Sequence, residues 1–140
     1  MAHSFLEYQG RSLLLHDHDI LVVTAVVARV AERDEAEFPE AVRRGLAWWR
    51  LIGDACFPGA LEPKLDEYFG DERSARVLVQ LLDRATEHLQ GFGAVVPGGR
   101  LTELLGENGP ECFDRDTKDI LLPFARERDF VTASPRSERA

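Results

Sequence analysis

Residues 20–31 read Ile-Leu-Val-Val-Thr-Ala-Val-Val-Ala-Arg-Val-Ala, and only Thr24 and Arg29 interrupt the apolar run. Wound as a helix, this segment is apolar on almost every side, and such a helix is stable only when other elements cover it. Its β-branched residues also permit a strand, but the length and the polar ending Glu32-Arg33-Asp34 favour a helix. A bilayer span needs about 20 residues, more than the run supplies. The segment is therefore expected to be the central helix of the fold, with Asp17 or Asp19 capping its free N–H groups.

Other stretches have the periodicity to pack round it. Pro39 suits the first turn of a helix running to about Cys56. Phe38, Val42, Gly45, Trp49, Ile52 and Cys56 share one of its faces, and Arg43, Arg50 and Asp54 another. Trp49 belongs to the core by this pattern, while Trp48 sits on the flank, as filler or as a partly exposed anchor for a partner. A short helix follows over 63–69, closed by Gly70. Asp71 then caps a long helix in which Val77, Leu78, Leu81, Leu82, Ala85 and Leu89 recur at spacings of three and four, with Gly91 as its stop. Residues 93–99 read as a loop, Leu101, Leu104 and Leu105 as one or two helical turns, and Asn108-Gly109-Pro110 as a breaker. Asp116 or Thr117 begins a last helix, which Pro123 is expected to kink or restart. Near the start, residues 5–15 break at Gln9-Gly10 into two short strands or an irregular arm, which must lie on the helices because an isolated hairpin is marginal. The expected fold class is all-α or mainly α: a single compact helical domain over 1–131 around the central apolar helix, with a short N-terminal β-hairpin or arm. Residues 132–140 are expected to form a flexible tail.

Charge narrows the function. Against 17 Lys and Arg stand 25 Asp and Glu, a formal charge of −8 on 140 residues. Phosphate contacts need clustered Lys and Arg, and anionic membranes reward basic clusters, so neither nucleic acid nor membrane is an expected partner. The surplus gathers in three places. Residues 32–40 carry five carboxylates against Arg33, and residues 103–119 carry six against Arg115 and Lys118. The third place is 62–72, where Asp66, Glu67 and Tyr68 lie together. Helix starts favour one or two carboxylates each, which leaves a remainder that a basic partner would read. The candidate partner-binding residues are Glu35, Glu37, Glu40, Trp48, Glu62, Asp66, Glu67, Tyr68, Glu103, Glu107, Glu111 and Asp114.

Catalytic and metal signatures are weak. His16-Asp17-His18-Asp19 places two imidazoles at i and i+2, which could chelate from an extended strand with a carboxylate, or with Cys56 and Cys112, completing the shell. No His-Glu-x-x-His, no Gly-x-Ser-x-Gly and no Gly-Lys-Ser/Thr phosphate loop is present. The expectation is a protein without enzymatic activity or cofactor, with a metal or catalytic centre on His16 and His18 as the alternative. Two cysteines do not make a disulfide scaffold, and the N-terminal residues lack the basic and apolar regions of a signal peptide, so a cytoplasmic location is expected.

Tyr8-Gln-Gly-Arg11, the apolar segment 20–31, Trp48-Trp49 leading into Cys56-Phe57-Pro58-Gly59, and Leu104-Leu-Gly-Glu-Asn-Gly109 together give the chain a resemblance to the small immunity proteins that accompany bacterial toxins. None of these motifs carries chemistry. The resemblance implies a small acidic cytoplasmic protein that binds a basic toxin stoichiometrically and so neutralises it. A regulatory protein-interaction module is a further alternative.

Overall fold

The computed structural model describes residues 3–55, 62–106 and 112–133. The protein is mainly helical, with a two-strand antiparallel hairpin at its N-terminal end. Strands β1 (His3–Tyr8) and β2 (Arg11–His16) are followed by helices α1 (Asp17–Ala31) and α2 (Glu40–Ala55), with a single 3-10 turn (Glu35–Glu37) between them. Then come α3 (Leu65–Phe69), α4 (Glu72–Gln90), a two-residue strand β3 (Val95–Val96), α5 (Gly98–Leu105), its partner β4 (Arg115–Asp116), and α6 (Thr117–Thr132). Among the described residues no helix is long and apolar enough to cross a membrane.

The apolar run folds as a helix. Every residue from Ile20 to Ala28 is buried, and α1 packs against α2, α4, α5 and α6. It begins three residues earlier than the run itself, and neither aspartate caps it. The cap is His16, whose Nδ1 accepts from the His18 amide (3.1 Å). Asp17 is committed elsewhere: its carboxylate takes the Ser4 hydroxyl of β1, tying the hairpin to the start of α1.

The hairpin turns at Gln9 and Gly10, both with positive φ (51° and 79°), as a two-residue loop between right-twisted strands requires. Leu6, Tyr8 and Leu15 enter the core from its inner face, while His3, Phe5 and Glu7 face outward. The Tyr8 hydroxyl donates to the Phe69 carbonyl (2.8 Å), fixing the strand to α3.

Asp71 caps α4 as its position predicts, accepting from the Ser74 amide and hydroxyl. Gly91 ends α4 in right-handed conformation, and the reversal falls two residues later at Gly93 (φ 95°). Residues 93–99 are more than a loop: they carry β3 and the first two residues of α5. The pairing of β3 with β4 is long-range, which a local reading does not reveal. Pro123 neither ends nor restarts α6. The helical bond it removes belongs to the carbonyl of Asp119, an exposed residue, so the break falls on the solvent side of the helix. The expected tail begins at 132, but α6 continues through Thr132; residues 134–140 lie outside the described residues, as does the Asn108-Gly109-Pro110 breaker. The buried stripe of α6 includes one acid: Glu127 is fully buried, and neither carboxyl oxygen has a hydrogen-bond partner among the described residues. Burial pushes its pKa up to about 8.

Candidate functional site

Between the outer side of β1 and the segment leading into α3 lies a cleft of about 470 Å³. One wall is Phe5, Leu6 and Glu7, and the other is the stretch from Glu62 to Glu67. Two adjacent indoles hold the second wall in place. Trp49, buried on the apolar face of α2, donates to the Pro63 carbonyl (2.8 Å), and Trp48, turned onto the flank, donates to the Glu62 carbonyl. The two carbonyls are neighbours, so two ring nitrogens from successive positions on α2 grip successive peptide units. Lys64 adopts a left-handed conformation (φ 56°), and its ammonium lies 4.4 Å from the centre of the Trp48 ring.

Close approach of α3 to α2 depends on Gly45. A Cβ there would lie 2.7 Å from Cβ of Tyr68 and 3.1 Å from the Phe69 ring, nearer than side chains pack. The first wall is aligned to the second by Asp66, whose carboxylate accepts the Gln9 amide at the hairpin turn (2.9 Å).

The cleft is negative. Among the described residues of its lining, Glu7, Glu62, Asp66 and Glu67 stand against Lys64 alone, and Lys64 is engaged by the Trp48 ring and by Glu67 (3.9 Å). Exposed Phe5, at 59% of its surface, gives the same cleft an apolar lip. Carboxylates round an exposed aromatic suit a cation borne on an aliphatic stem, the chemistry of a Lys or Arg side chain.

The structure brings Glu62, Asp66, Glu67 and Tyr68 together on this side of the molecule, with Trp48 behind them. It gives other expected contact residues local work. Glu35 pairs with Arg50, which also donates to the Ala28 carbonyl (3.1 Å), so its charge locks the α1–α2 connection to α2. Neighbouring Asp34 forms a two-pronged pair with Arg84 (2.7 and 3.1 Å), and that guanidinium holds the carboxyl below its usual range. Asp114 accepts the Gly98 amide (2.7 Å), serving the start of α5 from a distance in sequence. Glu103 pairs with Arg100 across one helical turn (3.5 Å). Glu37, at the end of the 3-10 turn, and Glu40, at the start of α2, are exposed. Glu107 and Glu111 lie outside the described residues, as does Cys56.

Sequence reasoning missed Phe5, Glu7 and Lys64. The period-2 alternation of β1 carries a signal for the first two, because placing Leu6 and Tyr8 inward turns Phe5 and Glu7 outward together. Nothing local marks Lys64, whose position is set by Trp48.

The histidines are placed differently from a chelating pair. His16 Nδ1 is occupied by the His18 amide, and the His3 ring meets His16 edge-on at 5.0 Å. Partial burial and nearby Arg115 lower the pKa of His18. Among the described residues no group of three or more His, Cys, Asp or Glu side chains is arranged to hold a metal ion.

Compared with protein-family models, with curated proteins and with solved structures, the chain gives no match.

Proposed function

We propose that this protein is a stoichiometric binding protein for a basic protein partner, acting as an immunity protein acts on its toxin, and that the β1–α3 cleft is its principal contact. The observation that carries this reading is the cleft's lining: four carboxylates and an exposed Phe5 beside one lysine already engaged. Such a surface attracts a basic partner at long range and retains it at short range by burying the aromatic lip. Neutralisation follows from covering the partner's active surface by charge and shape, with no chemistry performed by the binder and no cofactor. A cytoplasmic setting and a domain built round α1 as its central helix complete the reading.

The test is affinity purification from the cells that make the protein, with partners released by a salt gradient and identified by mass. The expected partner is basic, binds one to one, and loses affinity in the Glu62→Gln, Glu67→Gln double variant. A partner with an acidic surface, or one whose affinity ignores both ionic strength and the double variant, overturns the reading.

A further inference from the structure

β1 belongs to a sheet of two strands, so each strand has an outer edge with backbone groups that its partner does not reach. A two-residue loop closes on a hydrogen-bonded pair, here Tyr8 with Arg11, and the pairs alternate from there. Glu7 with Ser12 and Phe5 with Leu14 are therefore non-hydrogen-bonded pairs, and the amides and carbonyls of these four residues point away from the hairpin. The β2 side confirms the alternation. The Leu14 carbonyl accepts from Arg126 of α6 (3.2 Å), and the Arg11 side chain also reaches α6, at the Phe130 carbonyl (2.6 Å). The edge of β2 is thus capped by α6 at the Leu14 carbonyl. The edge of β1 is not: among the described residues, the backbone groups of Phe5 and Glu7 make no hydrogen bond. The same two residues line the 470 Å³ cleft, whose far wall is acidic.

We propose that the outer edge of β1 receives an extended, Lys- or Arg-bearing segment of the basic partner as a third strand; this rests on the binding function proposed above and specifies its mode. Backbone hydrogen bonds to Phe5 and Glu7 supply register, and basic side chains at alternate positions reach Glu7 on one side and Glu62 and Glu67 across the cleft. Charge also decides between occupants. A second copy of this chain on the same edge would bring two acidic clefts face to face, which like-charge repulsion disfavours, whereas a basic strand neutralises one.

The probe is a capped octapeptide of alternating Lys and Val, compared with the same peptide N-methylated at every amide, which keeps the charge and removes every backbone donor. Binding is followed at low salt by fluorescence anisotropy and by backbone amide exchange of the protein. The expected result is that the unmethylated peptide binds at least tenfold more tightly and slows exchange at Phe5 and Glu7 but not at Ser12. Phe5→Pro, which removes an outward donor as well as the aromatic lip and leaves the β1–β2 ladder intact, is expected to lose at least tenfold in affinity relative to Phe5→Ala, which removes the lip alone, and Ser12→Pro to stay within about twofold. Equal binding of both peptides, lost in the Glu62→Gln, Glu67→Gln variant, overturns strand addition and leaves the acidic-surface reading standing. Binding by neither peptide overturns strand addition as well, and the salt-gradient purification then decides the function separately. Protection of Phe5 and Glu7 in protein alone, rising with concentration, overturns the proposal in favour of self-pairing. Should Phe5→Pro fail to fold, the exchange pattern of the unaltered protein still decides.

Discussion

Glu127 sits among apolar neighbours on the inner stripe of α6 with no partner for either oxygen, and its proton leaves only near pH 8. An unfolded chain releases that proton near 4.5. The folded state therefore holds the extra proton between those values, so the contribution of Glu127 is intact below about pH 4.5 and is lost as pH rises through about 8. The expected outcome is that Glu127→Gln, which cannot ionise, exceeds the unaltered protein in stability at pH 9 by on the order of 3 kcal/mol, with a much smaller difference at pH 5. Urea unfolding at both pH values measures this, and a variant less stable at pH 9 refutes it. Gly45 makes a different residue-scale prediction. Because a methyl there meets Tyr68 and Phe69, Gly45→Ala is expected to cost about 1–3 kcal/mol by thermal or urea unfolding, despite the higher helix propensity of alanine.

At the scale of elements, what repeats within one segment was visible in the sequence and what joins two segments was not. The stripes of α2 and α4 follow from periodicity, and the Asp71 cap and the Gln9-Gly10 break are local chemistry. His16 was hidden as a cap because Asp17, the better residue by type, is claimed by Ser4 of β1. Strands β3 and β4 were hidden because two residues carry no alternation to detect, and their pairing spans a helix. Of the candidate site, the acidic-aromatic stretch Glu62 to Tyr68 was legible, whereas its opposite wall came into view only once the hairpin was seated on α3. That seating is itself testable. Asp66→Ala removes the acceptor of the Gln9 amide, an exposed bond, and is expected to cost about 0.5–1.5 kcal/mol. Faster hydrogen exchange at the hairpin than at α4 in this variant would locate the loss; uniform acceleration would contradict it.

Over the whole molecule, the charge of −8 divides into carboxylates that fasten the fold and carboxylates that do not. Asp34 and Glu35 clamp the α1–α2 connection to α4 and α2, and Asp114 serves α5, so removing them acts on stability. Glu7, Glu62 and Glu67 line the cleft with no cation beyond Lys64 among the described residues, so removing them acts on association. Asp34→Asn is accordingly expected to lower the unfolding midpoint while leaving partner affinity within about twofold. The Glu62→Gln, Glu67→Gln variant is expected to do the reverse, slowing association at low salt by tenfold or more and losing that difference in high salt. Paired melting curves and stopped-flow association rates separate the two classes, and an equal effect of both variants on association would erase the division.

The adjacent indoles of α2 have an optical consequence. They are the chain's only tryptophans, so its ultraviolet-excited emission arises from two rings fixed to one wall of the cleft. Trp49 is sealed from solvent and acts as an internal reference, whereas half-exposed Trp48, with the Lys64 ammonium over its ring, responds to whatever enters. Occupancy of the cleft can thus be read from a wavelength shift of the unlabelled protein, and Trp48→Phe should abolish that shift while keeping the signal of its neighbour.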